Sequence, residues 1–229
     1  HLKMKIYDVA FLGMGASALA TAKLKYKGTS ISLIGIDKNY HSKRNNFFAF
    51  WLTDWMKDFD SLAQKKWFCW NFYLTNNHIK HETKDLPYCT IRYQDWKNYC
   101  LKGLENLSIK EFNVQSITNL KKYYEIKLEN GEEIFAKKIY DSRTPKLENK
   151  KVKQHFFGYL IETEQMINSN SVTLMDFRVE QKMGLHFMYC LPIDENRMLV
   201  ESTVFSSEIQ DDAWYQKQIL EYIETKLNL

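Results

Sequence analysis

Residues Gly13-Met14-Gly15-Ala16-Ser17-Ala18 leave this chain few choices of fold. They follow a short apolar run, Lys5 to Leu12, that reads as a buried parallel strand. They precede a helical run through about Tyr26, which Gly28 closes. Ser30 to Ile36 reads as a second strand, ending at Asp37. The result is a β-α-β unit with GxGxxA at its turn. In such a unit Gly13 makes the tight turn, Gly15 lets the backbone approach a pyrophosphate, and Ala18 allows close helix–strand packing. Ala16 and Ser17 open the helix, whose N-terminal amides face the anion. Asp37 stands 24 residues after Gly13, against ~20 for a ribose-binding acid, and Gly28-Thr29 lengthen the loop. GxGxxA alone is a weak signal. Between two strands, with an acid closing the second, it predicts dinucleotide binding over a plain structural turn.

The 229 residues suit one large domain or two small ones, and 45% hydrophobic with 26% charged residues is a soluble globular balance. No apolar run approaches the ~20 residues needed to span a bilayer. Cys69, Cys89, Cys100 and Cys190 form no CxxC pair, which argues against a disulfide framework or a zinc site, and no metal site is expected. A net charge of +4 is too small and scattered for nucleic acid, but suits light contact with an anionic membrane. The chain starts at His1, and Trp214 to Leu229 reads as a helix without a following strand or cap, so the natural protein is expected to continue.

The middle of the chain predicts a helix-like stretch over Thr53 to Gln64 and short strands at Trp67 to Thr75 and His78 to Thr83. A second helix is expected over Gln94 to Leu104. Ser108 to Val114, Tyr123 to Leu128 and Glu133 to Tyr140 read as a three-strand meander with a hairpin at Asn130-Gly131. It leads into Asp141-Ser142-Arg143, where Asp141 and Arg143 either flank a cofactor or simply pair to end a strand. Lysine-rich Lys146 to Lys153 marks the boundary between a first domain, 1–148, and a second, 149–229. The second holds strands at Phe156 to Glu162, Ser171 to Val179, Leu185 to Leu191 and Met198 to Phe205, the last two forming an antiparallel hairpin. The predicted class is α/β: a Rossmann-like dinucleotide-binding domain with an added antiparallel β-sheet substrate domain.

Within that hairpin, Met198-Leu199-Val200-Glu201-Ser202-Thr203 puts a carboxylate in an apolar, β-branched strand, where Glu is disfavoured. Glu201 either faces solvent or occupies an apolar pocket for a chemical reason. On alternating strands it shares a face with Leu199, Thr203 and Phe205, while Phe187 and Tyr189 share a face of the partner strand. A compact turn brings Tyr189 opposite Glu201. Asp176 is a second acid, read either as part of the site or as a partner of Arg178. His78, His81, His155 and His186 read as surface or packing residues.

Over essentially its whole length the chain resembles the lycopene cyclase family. Gln154-His155-Phe156-Phe157-Gly158-Tyr159-Leu160-Ile161-Glu162 resembles the family's opening of the substrate sheet. Leu174-Met175-Asp176-Phe177-Arg178 resembles its Met-Asp-aromatic motif, and Phe187-Met188-Tyr189-Cys190-Leu191-Pro192 its Phe-x-Tyr-x-x-Pro strand. Leu199-Val200-Glu201-Ser202-Thr203 stands where the family has Phe-Leu-Glu-Glu-Thr. The glycine turn and Asp141-Ser142-Arg143 match too. Ser202 replaces the second acid of that motif. Asn46-Phe47-Phe48-Ala49-Phe50-Trp51 keeps only the last two residues of Arg-Thr-Trp-x-x-Trp, and the family's C-terminal part has no counterpart.

The resemblance implies a lycopene β-cyclase-like enzyme, an intramolecular lyase or isomerase with no net redox change. Its substrate would be lycopene or a related linear carotenoid, and its cofactor reduced FAD, with NAD(P)H as a candidate reductant. The end group is protonated, a neighbouring double bond attacks the cation, and a proton leaves. Glu201 is the expected acid and Asp176 the second catalytic candidate, with Phe187, Tyr189 and Phe205 lining the pocket. Asp141 and Arg143 join Gly13, Gly15, Ala16, Ser17, Ala18 and Asp37 as cofactor-binding residues. The expected location is the cytoplasm, peripherally on the cytoplasmic membrane, without nucleic acid. The alternatives are an FAD-dependent oxidoreductase or monooxygenase of similar fold, and an inactive nucleotide-binding fragment.

Overall fold

A computed structural model describes residues 5–42, 46–145 and 151–229. In chain order the elements begin β1 (Ile6–Leu12), α1 (Ala16–Tyr26), β2 (Leu33–Ile36), β3 (Phe47–Trp51), β4 (Lys65–Trp67), β5 (Cys69–Leu74), β6 (Asn77–Glu82) and β7 (Tyr88–Arg92). They continue with α2 (Tyr93–Leu101), β8 (Leu107–Lys110), β9 (Val114–Asn119), β10 (Tyr124–Leu128) and β11 (Glu133–Asp141). The rest are β12 (Lys153–Glu162), β13 (Val172–Asp176), β14 (Leu185–Pro192), β15 (Arg197–Ser206) and α3 (Asp212–Tyr222). Asp54–Leu62, expected as helix-like, forms a 3₁₀ segment.

The chain divides into two compact units, residues 1–47 with 92–145, and residues 48–91 with 146–229. This differs from one contiguous boundary near residue 148, because β5 pairs in parallel with β13, Trp70 opposite Val172. Part of the lysine-rich linker, 146–150, lies outside the described residues.

The first unit carries a sheet of order β8-β2-β1-β11-β10-β9. β8, β2, β1 and β11 run parallel, and β10 and β9 are antiparallel. Burial of both faces explains the continuous apolar reading of β1 and β2. Ala10, Leu12, Ile34, Ile36, Ile126 and Ile134 form the core of one face. The expected strand Ser108 to Val114 is two strands at opposite edges. Asn113 breaks it: its backbone and side-chain N–H groups donate to the Glu129 carboxylate at 3.0 and 2.8 Å. The Asn130-Gly131 hairpin forms as expected, with Gly131 at φ +86° and its N–H on Leu128 O at 3.0 Å.

The second unit holds a sheet of order β12-β15-β14-β13-β5-β6 and a small sheet β3-β7-β4. One face of the large sheet packs Met188, Cys190, Met198 and Val200 against Ile219 and Tyr222 of α3. The opposite face joins Leu174 and Leu191 to Trp67, Trp70 and Tyr88. No helix among the described residues is long and apolar enough to cross a membrane.

Candidate active site

In the first unit the glycine turn is built by contacts from three directions. Gly13 takes φ +85°, and a Cβ there would lie 2.9 Å from Ser142 Oγ, so the position is closed to side chains twice over. Ser142 Oγ donates to the carbonyls of Leu12 and Gly13, both at 3.1 Å. From α2, Tyr93 Oη donates to Met14 O at 2.8 Å and Trp96 Nε1 to Ala16 O at 3.0 Å. Beneath the turn, buried Met14 fills the space left by Gly35, where a Cβ would fall 2.6 Å from Met14 Sδ. Tyr93, Trp96 and Gly35 were not legible as site residues: their roles depend on contacts far away in sequence.

Gly15 caps α1 in an extended conformation without a side-chain cap, and the first turn of the helix has no acidic residue. A Cβ at Gly15 would meet nothing within 4 Å. The helix N-terminus thus opens onto free space, a cleft of about 520 Å³. Gly13, Gly15, Ala16, Ser17, Ala18, Asp37 and Arg143 all line it. Asp37 is already engaged with backbone, its Oδ2 accepting from Met14 N–H at 2.9 Å and its Oδ1 from Asn39 N–H at 2.8 Å. Asp141 does not line the cleft. Its carboxylate is gripped by Arg143, with Nε at 2.9 Å and Nη2 at 2.7 Å, and those bonds hold its pKa below the usual carboxylate range. The uncapped amides, the bare Gly15 surface and the acid at the end of β2 together fit a dinucleotide such as FAD.

In the second unit the register of the hairpin is explicit: Glu201 pairs with Tyr189 on β14 and with Gly158 on β12. Directly opposed side chains sit ~5 Å apart at Cβ, so the Glu201 carboxyl and the Tyr189 ring are neighbours on one face. Phe205 and Phe187 lie on the same face, ring centroids 6.3 Å apart. Thr203 Oγ1 donates to Glu201 Oε1 at 2.8 Å. Tyr189 Oη is bonded instead to Tyr88 Oη of β7, at 2.7 Å. Burial pushes the Glu201 carboxyl above the ordinary carboxylate range, and the Thr203 hydrogen bond offsets only part of that. Gly158 is exposed, so the Glu201 face is open on its β12 side.

Asp176 is on the other face. It pairs with Met188, next to Tyr189 in β14 and therefore pointing oppositely. Burial alone would push its pKa up. Arg178, at 2.9 Å through Nε and 2.6 Å through Nη2, and Tyr222 Oη, at 2.7 Å, outweigh that and hold the carboxyl below its ordinary value. Ser202 shares this face, with His186 Nε2 at 2.9 Å from its hydroxyl. Hence the structure gathers Glu201, Tyr189, Phe187 and Phe205, adds Thr203 and Tyr88 to them, and sets Asp176 apart as an ionised, fully paired carboxylate.

The chain thus combines a Rossmann-like nucleotide fold with a second, mostly antiparallel sheet that carries one half-buried acid. Among solved structures, the chain is similar to a geranylgeranyl bacteriochlorophyll reductase-like protein from Thermoplasma acidophilum. The TM-score is 0.71 at 11% identity, covering 98% of this chain and 63% of that one. It is also similar to a halogenase PltM variant in complex with FAD (TM-score 0.65, 12% identity, 97% and 56% covered) and to the flavin-dependent brominase Bmp2 (0.59, 15%, 97% and 62%). These likenesses concern the fold, and the chain spans less than two thirds of each matched structure. No curated protein sequence matches. The family described as lycopene cyclase protein matches residues 8–228, and the chain belongs to it.

Proposed function

We propose that this protein carries out flavin-dependent, non-redox cyclisation of a linear carotenoid end group, with Glu201 as the proton donor. The observation that carries this reading is a protonatable carboxyl, raised by burial, facing aromatic rings on an apolar sheet. An alkene is a very weak base, so its protonation needs an acid that has kept its proton near neutral pH. Glu201 delivers that proton to the terminal double bond, and the electrons of the neighbouring double bond close the ring. Thr203 stabilises the carboxylate left behind, and the faces of Tyr189, Phe187 and Phe205 stabilise the cation. A ring proton returning to the carboxylate restores Glu201, so substrate and product are isomers.

Membership of the lycopene cyclase family supports the substrate class. The fit of the cleft residues, together with the FAD in the PltM complex, supports the cofactor. Gly15 and the α1 amides would hold the pyrophosphate and Asp37 the ribose. Bound in reduced form, FAD would supply an electron-rich surface that stabilises cationic states without being consumed. Arg143 is a cleft-side residue, with Asp141 orienting it. We assign Asp176 a structural role, because an ionised carboxylate held by Arg178 and Tyr222 cannot donate a proton. Since lycopene dissolves in bilayers, we place the protein peripherally on the cytoplasmic membrane.

The test is expression in a lycopene-accumulating host, with pigment analysis and measured NAD(P)H consumption. Ring formation without stoichiometric hydride use supports the cyclase. Stoichiometric NAD(P)H oxidation with an oxidised or reduced product would instead assign a flavin oxidoreductase.

A further inference from the structure

The C-terminal half of α1 reads Lys23-Leu24-Lys25-Tyr26-Lys27, and no acidic residue occurs between Thr21 and Thr29. The fold adds two more lysines to this surface. Lys23 Nζ reaches the carbonyls of Tyr99 at 3.1 Å and Lys102 at 2.6 Å. The Lys27 side chain lies against Gly103, where a Cβ would meet its Cε at 2.9 Å. On the other side, the Nζ atoms of Lys25 and Lys138 stand 5.7 and 4.7 Å from the Tyr140 ring centroid.

Five lysines thus share one surface of the first unit, and Lys25, Lys27, Lys102 and Lys138 are exposed. None of the five pairs with a carboxylate among the described residues. Glu105, the acid closest along the chain to Lys102, makes no ion pair with any of them there. The positive potential is felt locally: burial and the charges of Lys27 and Lys102 push the Lys23 pKa down. Hydrogen bonds from Lys138 and Tyr26 lower the Tyr140 hydroxyl to about 8. In the middle of this basic field Leu24 is 68% exposed.

We infer that this lysine-ringed Leu24 surface is the face that docks onto an anionic lipid bilayer. The inference rests on the proposal that the substrate is drawn from a membrane. Unpaired lysines around an apolar tip match a layer of anionic headgroups over hydrocarbon: the charges stay at the headgroups while the leucine enters below them. Nucleic acid fits less well. Such a site offers aromatic faces for stacking bases, whereas Tyr140 is flanked by lysines and stacked on Phe11 at 5.2 Å.

The experiment is co-sedimentation of the purified protein with vesicles of equal parts phosphatidylglycerol and phosphatidylcholine, and with phosphatidylcholine alone. Wild type should bind the anionic vesicles, release them at high salt and ignore the neutral ones. Each lysine removed should weaken binding about 5-fold, so Lys25→Ala/Lys27→Ala/Lys102→Ala should lose on the order of 10²-fold. Leu24→Ser, which keeps every charge, should lose roughly 10-fold. Thermal melting of each variant confirms folding, since all four positions are exposed. Equal binding to neutral vesicles, a folded triple variant that binds like wild type, or stronger binding to a polynucleotide lost in the triple variant would each overturn the inference. Because docking is read without turnover, Glu201→Gln should bind vesicles normally: a wild-type protein that docks on anionic vesicles but forms no ring counts against the enzyme reading alone, and one that forms rings without binding those vesicles counts against this inference alone.

Discussion

Glu201→Gln separates acid chemistry from structure at one atom. The amide matches the carboxyl in size, so no cavity opens. Its oxygen can still accept the Thr203 hydrogen bond now made at 2.8 Å, worth ~1 kcal/mol. What disappears is the acidic proton. Losing a general acid costs about 10²–10⁴ in rate, or ~3–5 kcal/mol of barrier. Stability should move the other way. Burial raises the Glu201 pKa in the folded protein, so the folded state holds this proton more tightly than the unfolded chain does. The resulting stabilisation is complete below the unfolded value and is lost as pH rises through the folded one. Glutamine does not titrate, so the variant should gain stability relative to wild type as pH increases. The assay is ring formation per bound flavin, with Tm measured for both proteins from acidic to alkaline pH. Near-normal cyclisation by flavin-loaded Glu201→Gln would remove Glu201 from the chemistry. A Tm difference independent of pH would refute the buried-acid reasoning.

Four further outcomes follow from the same geometry. Gly15→Val should fold normally, because a Cβ there meets nothing within 4 Å, yet abolish FAD binding; Gly13→Ala, forced to hold φ +85° against Ser142, should instead lose ~1–3 kcal/mol in a denaturant titration. Gly35→Ala should cost ~1–3 kcal/mol by overpacking against Met14 and Ile109, and weaken FAD binding too, because two of the three atoms it strikes belong to Met14 in the glycine turn. Asp176→Asn should lose about 1.5–3 kcal/mol at neutral pH through its weakened bonds to Arg178 and Tyr222; since the depressed pKa of Asp176 gives stability above its unfolded value that is lost as pH falls, the gap between variant and wild type should close on acidification.

The nucleotide turn was legible because its chemistry is local: GxGxxA, the preceding strand and the closing acid lie within one β-α-β unit. Alternation likewise put Glu201 on a face with Phe205 and suggested Tyr189 across from it. Alternation failed to side Asp176, because the β13 register shifts between Thr173 and Asp176. Its principal partner beyond Arg178 is Tyr222, on a helix 46 residues later. Asp37 was found at the right place, but its engagement by the Met14 and Asn39 amides depends on how the turn closes. The strands Phe47–Trp51 and Tyr88–Arg92 passed unread. They are short, are separated by 36 residues in the chain, and pair only within a small sheet formed with Lys65–Trp67.

The parallel pairing of β5 with β13 sets a timetable for the chain as it is made. Trp70 leaves the ribosome 102 residues before Val172, the residue it must lie beside. At synthesis rates of about 5–20 residues per second, that is a wait of roughly 5–20 s. During it β5, which carries Trp70, has only β6 to pair with, while the first nucleotide-fold strands can already pair. The nascent protein is therefore most exposed to misassociation in mid-synthesis, and a chaperone that shelters residues 65–74 over that interval should raise the yield of folded protein more than one acting on the finished chain.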